Sequence, residues 1–248
     1  MTDRVWDRFV SKRDREVRAA AGYDKRAGFG DRPALLIIDV NYHFCGDKSE
    51  PILKSIERWP NSCGEDAWTA IKHIQQLISA ARAKGLPIIY TTAAFRDDAW
   101  DGGSWEWKSN RVKESAAGPA QRGNLQGNEI VAEIAPAPQD LVVIKIKPSA
   151  FHGTPLTSFL TLLKVDSLFV CGTTTSGCVR ASVLDAFSEN YRISLAEECC
   201  FDRFESSHAI NLMDMDAKYA DVISTSEIVA RCKTLPDNLF KLPAGQAD

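Results

Sequence analysis

The chain alternates between short unbroken apolar runs and longer stretches in which apolar residues recur every three or four positions. "ALLIID", "PIIYTT", "LVVIKI", "SLFVC", "RISLA" and "DVIST", beginning at residues 34, 87, 141, 167, 192 and 221, are runs of the first kind. Strands covered on both faces by helices read this way, because neither side of the pleat meets water. Between them lie helical patterns. Residues 65–84 place Ala67, Ile71, Ile74, Leu77, Ile78 and Ala81 on one side, and Gly85 follows in the position that favours a left-handed glycine. Shorter helices are predicted over 154–164, 178–190 (Val179, Val183, Leu184 and Phe187) and 205–219. Strand and helix alternate throughout, which predicts an α/β fold: a single doubly wound, mainly parallel six-stranded sheet with helices on both faces.

Two regions fall outside that rhythm. Residues 3–20 carry Trp6, Phe9, Val10 and Val17 at helical spacing, and the glycine-rich "AGFGDRP" then breaks the chain. This divides it into an N-terminal helical extension, 1–32, and a domain, 33–248. The extension is expected to pack on the main body or on a partner chain. Residues 95–128 are polar, with glycines, a proline and tryptophans. They read as a long loop over the strand ends, and loops of that length in a compact domain usually serve function.

Composition narrows the function classes. Of 248 residues 44% are hydrophobic and 25% charged, with a net charge of −3, which is ordinary for a globular domain. That balance gives no reason to expect nucleic acid or an anionic membrane as partner, and a small molecule is expected instead. No apolar run approaches the roughly 18 residues of a membrane span, and the charged start has no signal-peptide core. The seven cysteines form no C-x-x-C pair. Six of them read as small buried hydrophobes in a reducing, cytoplasmic setting.

The seventh, Cys178, stands apart. In "FVCGTTTSGCVRASVLDAF" (residues 169–187) it lies where a strand turns into a helix. Ligands of open parallel sheets bind at the carboxyl ends of the strands. Three reactive residues fall there: Asp39 after the first strand, Lys145 at the end of the third, and Cys178 after the fourth. Lys147 points the same way as Lys145 and is a rival for its role. A helix N-terminus and an ammonium would favour a thiolate. A carboxylate could take the thiol proton and return it to a leaving amine. Each residue alone also has an ordinary reading: a turn cap, a snorkelling lysine, a core thiol.

Together they carry a resemblance. "ALLIIDVNYHF", "VVIKIKPSAFHGTPL" and "VCGTTTSGCVRASVLDAFSENYRISLAEECCFDRFESSHAINL" resemble the signature segments of the isochorismatase-like cysteine hydrolase family, over about residues 33 to 231. The resemblance implies a catalytic triad of Asp39, Lys145 and Cys178, with the lysine four residues before Ser-Ala-Phe preferred to Lys147. It implies a cis peptide at Thr173-Thr174 that aims the Thr174 and Cys178 N–H groups into an oxyanion hole. True isochorismatases lack the nucleophilic cysteine, so Cys178 points to an amidase.

The Asp-x-His metal motif of nicotinamidases has no counterpart here beyond His73, and no metal or cofactor is expected. His43, His152 and His208 are scattered, the first two near strand ends. "PSAFHGTPL" and "DRFESSH" are similar to the N-carbamoylsarcosine amidase and ureide hydrolase subgroup. There the resemblance makes Arg203 a grip on a substrate carboxylate or carbonyl together with Thr174, with Phe151 and Asn41 as further contacts. It also implies a homotetramer. The activity implied is metal-independent hydrolysis of a linear C–N bond in a carbamoyl or ureido compound (N-carbamoylsarcosine, biuret or triuret type), through an acyl-thioester, with release of ammonia. Maleamate hydrolysis and a non-catalytic binding role on the same fold are the alternatives.

Overall fold

The computed structural model describes residues 4–23, 25–98, 100–108 and 125–245. Six strands form one sheet: β1 (Pro33–Ile38), β2 (Ile88–Thr92), β3 (Leu141–Ile144), β4 (Ser167–Thr173), β5 (Arg192–Phe201) and β6 (Asp221–Ile223). Their order is β3-β2-β1-β4-β5-β6, and every pairing is parallel. The winding reverses between β1 and β4, so the carboxyl ends of those two strands open the crevice where such sheets take ligands.

Helices cover both faces. On one side α4 (Glu65–Ala83) and α9 (Thr225–Thr234) lie over Leu35, Ile37, Phe169 and Cys171. On the other, α6 (Leu156–Leu163), α7 (Arg180–Ser188) and α8 (Glu205–Lys218) lie over Leu36, Ile38, Leu168 and Val170. Adjacent residues of β1 thus feed opposite cores, which is why the run is apolar without alternation. Each Leu or Ile so buried contributes roughly 1.5–3 kcal/mol. Gly172 lets β1 and β4 close at this point: it has a φ of 111°, and a Cβ there would meet the Ile38 carbonyl oxygen at 2.1 Å. Among the described residues, no helix is long and apolar enough to cross a membrane.

Several elements differ from the sequence expectation. The predicted single helix over 3–20 is a one-turn helix, Asp7–Phe9, followed by α1 (Lys12–Ala20), with Val10 extended between them. The reason is Trp6 and Val10, which turn into the core beside α8 while Val17 stays exposed. Arg4 and Arg18 lie over the Trp6 ring, and their charges pair with Glu197 and Asp216.

β3 stops at Ile144, two residues early, as an edge strand with Val142 and Ile144 exposed. β5 is twice its expected length. Val170 pairs with Leu195 but Gly172 with Cys200, so extra residues of β5 bulge out and the strand runs on to Phe201. β6 ends at Ile223, because Ser224 and Glu227 form a capping box that starts α9, a helix the periodicity alone did not predict. Two short helices, α2 (Tyr42–Cys45) and α3 (Ile52–Ser55), fill the segment after β1. Of the long loop 95–128, Ser104–Lys108 forms a helix, α5, and residues 109–124 lie outside the described residues.

Candidate active site

Asp39, Lys145 and Cys178 meet at the carboxyl edge. β1 ends at Ile38, and Asp39 then adopts a left-handed φ of 53°, a conformation Asp tolerates better than most residues. Its N–H still bonds to β2, at the Thr91 carbonyl. Lys145 likewise continues the β3 ladder through its N–H to Thr92 O at 2.9 Å. Strands lie about 4.8 Å apart, so Lys145 must reach over the end of β2 to meet Asp39, which the long lysine stem can do. Nζ lies 2.7 Å from Asp39 Oδ2, and both side chains are 5% exposed. Thr91 Oγ1, from the intervening strand, donates to Asp39 Oδ1 at 2.8 Å. Nζ also donates to Lys147 O at 3.2 Å. Lys147 itself turns away and donates to Gly102 O. The two rival lysines are thereby separated by geometry.

Cys178 arrives from the other side of β1. The peptide Thr173-Thr174 is cis. A wide turn over Thr175–Val179 follows, with Gly177 and Val179 N–H groups bonded to Thr174 O, and then α7 begins at Arg180. Cys178 therefore sits in the turn just before the helix rather than in its first turn. Burial, and then the Asp39 carboxylate, push its thiol up to about 12, against the pull of Lys145. Burial also works against the charge on Lys145, but Asp39 and Cys178 outweigh it and hold the ammonium above its ordinary value. The helix N-terminus and ammonium expected to favour a thiolate are thus opposed by burial and by the carboxylate in the same site, and the balance disfavours the charged sulfur. Both acid–base partners are nevertheless in reach.

The remaining sequence candidates distribute as follows. Thr174 is buried at the turn, while Thr173 directs its hydroxyl to Phe201 O on the α4 side, 3.8 Å from Cys63 Sγ. Phe151 packs in the same apolar cluster as Cys178 and beside Tyr191. Asn41 is buried with its carboxamide engaged at both ends, capping α2 at Phe44 N–H and donating to Thr92 Oγ1. That makes it a wall of the site rather than a hand extended into it. Arg203 is half-buried just past β5, and its Nη1 donates to Asn61 O at 2.8 Å.

His152 is exposed, and His43 lies under Gly127, too close for any side chain there. His208 bonds Thr175 Oγ1 at 2.8 Å. No group of three or more His, Cys, Asp or Glu gathers as a metal cluster among the described residues. All seven cysteines are free and buried.

Sequence reasoning missed three residues. Thr91 fixes Asp39. Ser182 Oγ donates to Cys178 O at 2.7 Å and accepts from Ala150 N–H, tying the Cys178 turn to the segment after Lys145. Asp202 holds Ser176. Hydroxyls and carboxylates next to strand ends are common, and none of these three carries a distinguishing pattern.

The Isochorismatase domain family matches residues 33–227 of the chain. An N-carbamoylsarcosine amidase of an Arthrobacter species is 34% identical over 230 residues, covering 92% of this chain and 81% of that protein. A maleamate amidohydrolase of Pseudomonas putida is 29% identical over 217 residues, covering 86% of this chain and 92% of that one. Among solved structures, a cysteine hydrolase from Pseudomonas syringae pv. phaseolicola shares the fold. Its TM-score is 0.71 at 22% identity, covering 84% of this chain and 96% of that chain.

Proposed function

The chain belongs to the isochorismatase-domain family of hydrolases, and from that premise we propose that it is a cysteine amidohydrolase cleaving a linear C–N bond in a small carbamoyl or ureido compound. The observation that carries this reading is the buried Lys145–Asp39 pair at 2.7 Å, with Cys178 as the third member of the same buried site. In the proposed cycle Asp39 accepts the Cys178 proton as sulfur attacks the carbonyl carbon. The oxyanion that forms is received by the Thr174 and Cys178 N–H groups. Collapse breaks the C–N bond, the proton on Asp39 passes to the departing nitrogen, and ammonia leaves. Water then attacks the thioester, giving a proton to Asp39. The acyl group departs as the acid, and the thiol recovers its proton. Lys145 stays charged throughout and steadies the carboxylate whenever it is ionised.

A raised thiol suits this order of events. Proton transfer coupled to attack needs a base in contact with the sulfur, and no free thiolate has to wait in an apolar pocket. Arg203 at the same edge suits a substrate with a carboxylate remote from the scissile bond. That favours an N-carbamoyl amino acid over the neutral biuret or triuret. The similarity to a maleamate amidohydrolase over 92% of that protein supports a second reading, an unsaturated acid amide, and the same arginine would serve it.

The test is ammonia release from a panel of N-carbamoyl amino acids, ureides and acid amides, with Cys178→Ala alongside. Turnover by the wild type on the carbamoyl acids, lost in Cys178→Ala, is expected. Failure of the wild type on every compound would leave a binding protein on this fold. Preference for maleamate would select the second reading.

A further inference from the structure

Ser176 stands two residues before Cys178, and both of its hydrogen-bond donors go to one carboxylate oxygen. Its N–H reaches Asp202 Oδ2 at 2.8 Å and its hydroxyl reaches the same atom at 2.6 Å. The other oxygen, Oδ1, accepts the Arg203 N–H at 2.7 Å. Asp202 is only 6% exposed, and a buried carboxylate is tolerated only where donors replace the lost water. Here three donors do so, and two of them belong to the turn that carries the nucleophile. A second tether comes from the same stretch of chain. Thr175 Oγ1 donates to Phe201 O and lies 2.8 Å from His208 Nδ1. Thr175 Oγ1 is thus held between Phe201 O and His208 Nδ1.

Helical bonds cannot hold such a turn by themselves. Gly177 departs from helical geometry, with φ −113° and ψ −105°. Its side-chain position is closed by Thr174 Oγ1, 2.6 Å from where a Cβ would sit. The turn is therefore shaped by its side-chain anchors, and those anchors exist because the bulge in β5 carries the chain on to residue 202.

We infer that Asp202 is a positioning residue for the acyl transfer, holding Ser176 so that Cys178 sulfur and the neighbouring N–H groups keep their place over the Asp39–Lys145 pair. The inference rests on the reading of Cys178 as nucleophile. Its Oδ1 bond to Arg203 N–H also sets the nucleophile turn and the arginine in one register.

The test compares Asp202→Asn and Ser176→Ala with the wild type in the full-length protein. An asparagine has one acceptor oxygen and presents a donor in place of the other, so it cannot satisfy all three donors. Small displacements of reacting groups cost up to about a hundredfold in rate. In Asp202→Asn, kcat is expected to fall about 10-fold to 100-fold, and KM to rise as well because the Arg203 N–H loses its acceptor. Ser176→Ala keeps the N–H bond and is expected to lose about 5-fold to 30-fold in kcat at constant KM. Alkylation of Cys178 by iodoacetamide at pH 8 should move the other way in Asp202→Asn, rising about fivefold or more as the thiol escapes its burial beside Asp39. That readout needs no substrate, so it decides the inference even if the whole amide panel fails. A retained kcat in either variant, or an alkylation rate that holds or falls in Asp202→Asn, would reduce Asp202 to a structural cap. If Asp202→Asn does not fold, Ser176→Ala decides alone.

Discussion

Cys171 and Cys178 lie seven residues apart, and both are free and buried, yet their surroundings have little in common. Cys171 belongs to the interior of β4, packed under α4, and its charged form is resisted by burial and by two further thiols, Cys199 and Cys200. Cys178 lies past the strand end. Burial resists its ionisation too, but there a carboxylate and an ammonium share the site. Burial therefore does not distinguish the two thiols; the difference lies in which groups are buried with each. Around Cys171 the packed neighbours are apolar side chains and further thiols, so no carboxylate or ammonium shares its site among the described residues. At the carboxyl edge the ladders run out, loops begin, and Asp39, Thr91 and Lys145 can be held there by the last hydrogen bonds of three neighbouring strands.

That contrast can be broken most sharply by exchanging the thiols in turn. Cys178→Ala should abolish turnover, a loss of about 10⁴-fold or more, because no other group at the edge can form the acyl bond. Cys171→Ala should leave kcat within about twofold and lower the melting temperature by a few degrees, the consequence of a small cavity. Steady-state kinetics and thermal melts on both variants check this. Equal losses would mean that the strand interior takes part in the chemistry.

The two lysines that follow β3 offer a second contrast, in direction rather than in place. Lys145→Met removes the partner of a buried carboxylate and should lower kcat/KM about 10³-fold. Lys147→Met, which among the described residues loses a contact with Gly102 O, should change it less than about threefold. A comparable loss at Lys147 would reassign the ammonium.

The proposed grip of Arg203 on the substrate can be tested in the same way. Arg203→Ala should lower kcat/KM about 30-fold to 1,000-fold on a carboxylate-bearing substrate, with Arg203→Lys recovering part of it. The loss should shrink on neutral biuret, and an equal loss on both would argue that Arg203 acts by holding Asn61 in place.

The smallest effect is graded with pH. A thiol pushed up to about 12 keeps its proton at neutrality, so the thiolate fraction, and with it the alkylation rate of Cys178, should rise about tenfold per pH unit from 7 to 10. A plateau near pH 7 would show a preformed thiolate. Stability has the opposite sign. Cys63, Cys178 and Cys199 are all raised to about 12 from an ordinary 9.0. The unfolded chain therefore releases these protons first, and the stability they contribute below pH 9 is lost as pH climbs towards 12. Melting temperatures measured between pH 8 and 11 would show the decline.

Legibility followed the range of the interactions involved. The six strands, the long helix Glu65–Ala83 and the placement of Asp39, Lys145 and Cys178 at strand ends could be read from local pattern, because apolar periodicity and the alternation of elements are properties of consecutive residues. The helix that starts at the Ser224 and Glu227 capping box was not read, because periodicity passed over it. Nor was the break of the N-terminal helix at Val10, since it depends on Trp6 finding a place beside α8.

By itself the sequence determined the doubly wound, parallel sheet and which reactive residues would come to its carboxyl edge; the strand order, with its switch between β1 and β4, came from the structure. The first two follow from hydrophobic burial and chain connectivity, which constrain every element at once. Only the tertiary structure shows the contact of Lys145 Nζ with Asp39, which the family resemblance had implied, the push that burial and Asp39 give the Cys178 thiol, and the hold of Asp202 on Ser176 across the fold. Each of these turns on the direction of one side chain and on desolvation by neighbours distant in the chain. Such contacts, made at 2.6 to 2.8 Å, have no periodic trace in the order of residues.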